Sequence, residues 1–265
     1  MREQGTAAVA PAVRTFGRAS ILAWSALGWL AADVFRGRFA WREALAQGWF
    51  IVSVTAVPAV FVSIPFGVIV SVQVGNLTQQ VGATSLAGAA AGVGVVRQGA
   101  PLVAALLLGG AAGAAIAADL GARTIREEMD AMRVMGIDPV RRIVAPRLAA
   151  MTVIAPLLCV VVIFMGLSTG YLINVGLQHG APGGYLSSFA SFVTVSDLVA
   201  ALAKSALFGI VVVVLSCQRG LEATAGPKGV ADSVNAAVVL GVVATFGLNL
   251  IITQLLSMFG SRVLG

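Results

Sequence analysis

The sequence predicts an all-α integral membrane protein. Of its 265 residues, 58% are hydrophobic and only 11% are charged, whereas about a quarter are charged in soluble domains. Two long stretches, 98–118 and 148–196, carry no charged residue, and each exceeds the roughly 20 residues that cross a bilayer. Because so little polar chain is left over, no soluble domain is expected.

The N-terminal part predicts a helix that lies along the membrane rather than across it. Residues 12–36 place apolar and basic side chains on different faces of a helix, and their uncharged middle, 19–32, is too short to span. Aromatic and arginine residues at the margins favour the interface plane. The chain therefore divides into a cytoplasmic N-terminus with an interfacial helix, 1–47, and a membrane domain, 48–265.

Five membrane spans are predicted in that domain, at 50–74, 90–118, 148–175, 198–217 and 234–259. Pro58, Pro65 and Pro156 lie inside them and are expected to kink the helices, which neighbours can tolerate by satisfying the freed carbonyls. Segments 176–196 and 218–232 are expected to be loops.

The start of the second span is left open by the sequence. The stretch 86–118 is longer than one crossing and is interrupted by Arg97, Gln98 and Pro101. We place the crossing mainly at 99–118 and expect residues 86–96 to be either a partly inserted segment or an extended helical lead.

Five spans put the two chain ends on opposite sides of the membrane. Fourteen lysine and arginine residues fall on the side of the N-terminus, against only Arg97 and Arg262 on the other. Because positive residues are enriched on the cytoplasmic side, the N-terminus is expected inside and the C-terminus outside. The basic residues form no patch with interleaved aromatics, so nucleic acid is not an expected partner.

A charged island at 119–147 separates the second and third spans. These 29 residues hold 11 of the chain's 28 charged side chains, which predicts a water-exposed element. Thr124 followed by Glu127 has the spacing of a capping box, and Gly136 with Asp138 and Pro139 supplies a stop. The island is therefore expected to form one short helix, 124–135.

One face of that helix is rich in methionine. Ile125, Met129 and Met132 recur at helical spacing with Met135 beside them. An unbranched, polarizable face of this kind suits a groove on another protein. The alternative is a helix that folds back on its own membrane domain.

Motifs for catalysis or cofactor binding are weak. No glycine-rich phosphate loop ends in Lys-Ser or Lys-Thr, so ATP is not expected to bind by that route. Ser168 lies in a GLSTG string that matches a nucleophile elbow, and His179 is the single histidine. That string lies in an uncharged span with no strand before it, so chance explains it better. Cys159 and Cys217 are expected to be packing residues.

Polar residues at membrane depth suggest a lining on the outer half of the bundle. Lys204 lies inside the fourth span, where it either snorkels outward or faces a cavity and binds an anionic or polar group. Arg97 and Gln98 lie at the outer edge of the second span, where arginine can anchor to lipid phosphates. Asn249 and Gln254 interrupt the fifth span, and an interhelical hydrogen bond is their ordinary explanation.

Three stretches resemble one known family, the MlaE/YrbE permeases, which are membrane subunits of ABC transporters that work with MCE proteins on lipids. They are RTFGRA at 14–19, the stretch 97–118, and 127–139 followed by RRIVAPR. The likeness covers nearly the whole chain, from Arg14 to Phe259. The low lysine content and the island favour the actinobacterial, multi-MCE type.

The resemblance implies a non-catalytic permease subunit in a bacterial inner membrane. It implies a permease dimer, two separate cytoplasmic ATPases that bind ATP and Mg²⁺, MCE proteins on the outer side, and a lipid that enters between the permeases. The chain itself would bind no cofactor or metal. The lipid would be a phospholipid, fatty acid, mycolic acid or sterol.

Site residues follow from the same resemblance. The ATPase would grip the island as a coupling helix through Thr124, Ile125, Glu127, Glu128, Met129, Met132, Met135, Gly136, Asp138 and Pro139. The lipid path would include Arg97, Gln98, Lys204 and Asn249. The family pattern has an acid at the positions of Gln98 and Asn249, and these amides favour a heterodimer with a different second permease.

Two alternatives from other classes remain open. A secondary transporter would work alone on an ion gradient, and an intramembrane serine hydrolase would need Ser168 and His179 close together. Neither needs a methionine-faced cytoplasmic helix.

Overall fold

The structure, a computed structural model, describes residues 2–37, 39–83, 86–178, 180–224 and 226–260. Arg38, His179 and Arg262, which enter the predictions above, lie outside the described residues. Within these ranges all regular elements are helices, numbered here in chain order: α1 Arg2–Phe35, α2 Trp41–Gln80, α3 Ala87–Val93, α4 Ala100–Leu107, α5 Gly113–Ile125, α6 Glu128–Val134, α7 Ala145–Gly176, α8 Pro182–Phe192, α9 Val195–Leu221 and α10 Pro227–Gly260.

Five helical runs in the described residues are long and apolar enough to cross a membrane: Trp41–Gln80, Ala87–Ile125, Val140–Gly176, Val195–Leu221 and Pro227–Met258. They confirm the predicted all-α, multi-pass membrane fold. The 40 residues of α2 correspond to about 60 Å at 1.5 Å per residue, which exceeds the hydrocarbon core of about 30 Å. The run therefore extends beyond the apolar layer, as the polar residues at its ends require.

The second run is continuous from Ala87 to Ile125. Its α-helical parts are joined by π-helical segments at Gly94–Gly99 and Leu108–Ala112. Pro101 does not break it; it falls in the first turn of α4, directly after a π segment, and the fixed φ of proline is compatible with helical geometry. The helix thus begins well before the crossing placed at 99–118.

The expected loop at 176–196 is wrong, because it contains α8. Pro182 occupies the first turn of α8, where proline is favoured. Tyr185 is buried, and its carbonyl lies against Gly88 of α3 so closely that a Cβ there would overlap it. Packing against α3 outweighs the glycines that indicated a loop.

The expected loop at 218–232 is also wrong over most of its length. Helix α9 continues to Leu221 and α10 begins at Pro227, so a short connection is left between them. Gly226 adopts a φ of 92° there, a conformation that glycine accepts without a Cβ clash. The span helices therefore extend beyond their apolar cores.

Contacts divide the chain into two units. The first comprises Met1–Ile51, Gly109–Thr152 and Ile210–Val242, and the second comprises Val52–Leu108, Val153–Gly209 and Val243–Gly265. The first unit contains α6 and the charged island. The second contains Arg97, Lys204 and Asn249.

Candidate functional site

The charged island does not form the single helix expected at 124–135. Helix α5 ends at Ile125, and α6 begins only at Glu128. Between them Glu127 adopts a φ of 59°, the left-handed conformation that interrupts a right-handed helix. Thr124 and Ile125 therefore belong to the end of the second helical run and not to the short helix.

The predicted capping box at Thr124 is wrong. The Thr124 hydroxyl donates to the Leu120 carbonyl, 2.8 Å away, and lies 3.2 Å from the Gly220 carbonyl. It bonds back into its own helix, a common alternative for threonine. No side chain caps α6 at Glu127.

The predicted stop is confirmed. The Ile137 N–H donates to Met132 O at 2.9 Å and the Gly136 N–H to Arg133 O at 3.0 Å, and Gly136 has a φ of 74°. This is the paired hydrogen bonding of a Schellman motif. Asp138 Oδ1 then accepts the Val140 N–H at 2.9 Å, and Pro139, with a φ of −60° and a ψ of −33°, already has helical geometry at the start of the next helical run.

The methionines of the island do not share one exposed face. Met129 is only 3% exposed and packs into its own chain, Met132 is half-buried, and Met135 is 66% exposed. Val134, at 89%, and Ile137, at 42%, lie outward beside Met135. The apolar surface offered outward is thus the C-terminal end of α6 and its turn.

Exposed charged side chains lie along α6 and just before it. Arg133 Nη1 lies 2.8 Å from Asp130 Oδ1, with both side chains well exposed, and Arg126 Nη2 lies 3.0 Å from Glu128 Oε1. Exposed pairs of this kind add little stability. The exposed apolar end of α6 therefore directly follows a charged residue, Arg133.

The C-terminal end of the island is not water-exposed as expected. Arg147 is 1% exposed; its Nε donates to Gln47 Oε1 at 2.8 Å and its Nη2 bonds to Asp119. Nearby, Arg141 makes a two-point ion pair with Asp33 at 2.8 and 2.5 Å, and its guanidinium lies 5.0 Å from the Trp29 ring centroid. These arginines hold the base of the island to α1 and α2.

A cleft of about 600 Å³ opens beside that base. It is lined by Trp29 and Asp33 of α1, by Arg141 and Arg142, and by the turn that follows α6. None of the residues predicted for the lipid path, which are Arg97, Gln98, Lys204 and Asn249, lines this cleft.

The second unit brings together three of the four predicted lipid-path residues. Lys204 is 5% exposed, and its Nζ donates to Thr253 Oγ1 at 3.1 Å and to the Arg97 carbonyl at 3.4 Å. Thr253 Oγ1 lies 3.4 Å from Gln98 Oε1. Lys204 therefore points into a polar cluster instead of snorkelling.

The fourth residue, Asn249, lies one helical turn before Thr253 and so faces the same side of α10. Asn249 is 6% exposed, and its Oδ1 has no hydrogen-bond partner among the described residues. A buried amide oxygen without a partner is unfavourable by about 1–3 kcal/mol. This atom can accept a hydrogen bond from a molecule that enters the cluster.

Asp197 is a site residue that the sequence prediction missed. Arg97 Nε lies 2.8 Å from its Oδ1 and Arg97 Nη2 3.0 Å from its Oδ2. Asp197 also accepts from the Thr194 N–H and hydroxyl at 3.0 and 2.9 Å. The signal was present, because Thr194 and Asp197 have the spacing of a capping box at the start of α9.

The second missed residue, Thr253, gave no signal, since threonine in a span is unremarkable. Ser168 lies within α7 and not at the strand-to-helix turn that a nucleophile elbow requires.

Comparisons with known proteins agree with this architecture. The sequence matches the family described as Permease MlaE over residues 44–255. It is 30% identical, over 89% of this chain and 90% of the other, to a probable ABC transporter permease protein of Synechocystis. It is 27% identical, over 83% of this chain and 63% of the other, to the chloroplastic protein TRIGALACTOSYLDIACYLGLYCEROL 1 of Arabidopsis thaliana.

A third relative is a probable ABC transporter permease protein of Rickettsia typhi, 30% identical over 61% of this chain and 62% of the other. The family match spans three of the five candidate membrane helices in full and most of the first and the last. The resemblance identified from the sequence is therefore confirmed. The chain is a non-catalytic, multi-pass membrane subunit that belongs to the MlaE permease family.

Proposed function

We propose that this chain is the membrane-spanning subunit of an ABC transporter that moves lipids across a bacterial inner membrane. It works with a second, different permease, with two cytoplasmic ATPases that bind ATP and Mg²⁺, and with MCE proteins on the outer side. Its N-terminus is cytoplasmic and its C-terminus lies outside. The lipid is a phospholipid, fatty acid, mycolic acid or sterol.

Two of the comparisons support this assignment. The Synechocystis relative, which the chain matches over 90% of its length, carries the name of a probable ABC transporter permease. The name of the Arabidopsis relative is that of a galactolipid. A transporter that moves a lipid is consistent with both names.

The observation that carries the proposal is the geometry of α6. A seven-residue helix lies between two membrane runs, is bounded by a left-handed residue and by a Schellman motif, and exposes Val134, Met135 and Ile137. An apolar tip with charged neighbours, joined directly to two spans, is suited to a groove on a protein partner. Contact with an ATPase at this tip displaces α6 and, through it, the spans on either side.

The lipid path in this proposal is the cluster of Arg97, Gln98, Lys204 and Asn249. Asp197 balances the charge of Arg97, whereas Lys204 has only neutral described partners, Thr253 and a carbonyl. A buried cation without a carboxylate is unfavourable in an apolar layer. An anionic headgroup that meets Lys204 relieves this cost, and the free Asn249 oxygen can accept a headgroup hydrogen bond.

Affinity purification from the native membrane, with mass spectrometry of the partners, tests the proposal. We expect an ATPase subunit, a second permease and an MCE protein, and ATP-dependent transfer of fluorescent lipid after reconstitution. Transport that follows an ion gradient in a preparation free of any ATPase would refute the proposal and favour a secondary transporter.

A further inference from the structure

Arg147 connects three helices of the first unit through one buried side chain. It lies at the start of α7, bonds to Asp119 of α5, and donates to Gln47 of α2. Asp119 and Arg147 stand at the two ends of the island, 28 residues apart in sequence. The base of the island is therefore closed by a charge pair.

The surroundings of Arg147 leave it few other partners. Its side chain is 1% exposed, and its Nη1 has no hydrogen-bond partner among the described residues. A buried guanidinium depends on its counter-charge, because removing one member of such a pair leaves an uncompensated charge. Asp119 supplies the carboxylate that is bonded to it.

Gln47 is oriented to accept from Arg147. Its amide nitrogen donates to Glu43 Oε1 at 3.1 Å, which leaves the amide oxygen directed at Arg147 Nε. This arrangement fixes α2 to the base of the island. Arg123 bonds to the other oxygen of Asp119 at 3.2 Å but is itself partly exposed.

We infer that Arg147 is a positioning residue for energy coupling, which clamps both ends of the island to α2 so that the island moves as one body. A push on α6 then reaches the spans instead of being absorbed by separation of α5 from α7. This inference rests on the proposed function, since it assumes an ATPase that acts on α6.

The test is the number of lipid molecules transferred per ATP hydrolysed by the complete, reconstituted transporter. Asp119→Asn keeps the side-chain volume and removes the counter-charge. We expect it to lower the ratio by about fivefold or more, the lower end of usual coupling energies, while ATP hydrolysis continues. A residue with a purely structural role lowers the yield of assembled complex but leaves the ratio unchanged.

Two matched variants sharpen the test. Arg123→Gln removes the exposed bond to Asp119 and leaves Arg147 paired, so its ratio should equal that of the wild type. Exchanging Glu43 and Gln47, as Glu43→Gln with Gln47→Glu, brings a carboxylate to Arg147 and preserves the hydrogen bond between the two positions. Added to Asp119→Asn, this exchange should restore the ratio.

An unchanged ratio in Asp119→Asn, or a lowered ratio that the exchange does not restore, overturns the inference. If Asp119→Asn does not assemble, Gln47→Leu takes its place, because it keeps the ion pair and removes only the link to α2. An unchanged ratio in assembled Gln47→Leu would equally overturn it. A wild-type complex that transfers no lipid in response to ATP would instead refute the proposed function.

Discussion

Arg97 and Asp197 form a two-point ion pair, with Nε 2.8 Å from Oδ1 and Nη2 3.0 Å from Oδ2. The pair joins the π segment at Gly94–Gly99 to the first turn of α9. Asp197 also accepts two bonds from Thr194, so one carboxylate serves both as a helix cap and as a counter-charge.

Asp197→Ala removes both roles. Because the Arg97 side chain is 47% exposed, its pair contributes little, about 0–1 kcal/mol, and the lost cap adds about 1 kcal/mol. We expect a destabilisation of about 1–2 kcal/mol, measured by thermal unfolding in detergent. Asp232→Ala, at an exposed position of α10, should stay within about 0.5 kcal/mol. Equal effects of the two substitutions would argue against a role for Asp197 at the start of α9.

Lys204→Met tests the cation of the lipid path. The substitution keeps a long, unbranched side chain and removes a buried charge that has neutral partners, so folding should be preserved. Transfer of an anionic lipid by the reconstituted transporter should fall at least about tenfold, equivalent to about 1.4 kcal/mol. Lys228→Met, at the chain's other lysine and exposed in α10, is the control. Undiminished transfer in Lys204→Met would exclude Lys204 from the path.

Gly67→Ala tests the close approach of α2 to α7 in the second unit. A Cβ at Gly67 would lie 2.5 Å from the Gly166 carbonyl oxygen, and backbone atoms cannot move aside as a side chain can. Overpacking of this kind is unfavourable by about 1–3 kcal/mol. Gly110→Ala, where a Cβ meets no atom within 4 Å, should be neutral in thermal unfolding. A stable Gly67→Ala protein would mean that the helices can separate at no cost.

Tyr185→Phe should leave the protein as stable at neutral pH or slightly more so. The Tyr185 hydroxyl is buried without a hydrogen-bond partner among the described residues, and an unsatisfied group is unfavourable by about 1–3 kcal/mol. Burial also raises the pKa of Tyr185. The folded protein therefore favours the neutral phenol. This contribution to the free energy of unfolding is fully present below the unfolded pKa of about 10, and it is lost as pH rises through the higher pKa of the folded state.

The wild type should accordingly lose stability above about pH 10 to a greater degree than Tyr185→Phe does. Denaturation of both proteins across that range measures the difference. Identical pH profiles would show that Tyr185 is not buried as described.

The five spans and the end of α6 could be predicted from sequence, because both depend on local chemistry. Long uncharged runs admit few other structures, and a glycine in the left-handed conformation, as Gly136 is, is a common helix end. The start of α6 could not, since the Thr124 hydroxyl is taken by Leu120 and Gly220, and Gly220 is 96 residues away. Helix α8 was missed because its stability comes from packing against α3.

The contacts of Arg147 with Asp119 and Gln47 were missed for a related reason. The sequence places Arg147 in an island that was expected to be water-exposed, and its partner Gln47 is 100 residues away. Similarly, the exposure of Met135 and the burial of Met129 depend on how α6 packs against the rest of the chain, which the spacing of the methionines in the sequence does not show. Asp197 is different, because its capping box with Thr194 was readable from the sequence.

The central claim, that an ATPase grips the tip of α6, is tested most directly by Val134→Asp with Met135→Asp in the complete transporter. Met129 is not a suitable target, since it is buried and its replacement would disturb folding. Asp130→Asn, which breaks only an exposed ion pair, serves as the control. We expect the double variant to reach the membrane and retain its second permease but to co-purify with at least about tenfold less ATPase, a difference of about 1.4 kcal/mol. Recovery of the ATPase at the wild-type ratio, with full ATP-dependent lipid transfer, would contradict the claim.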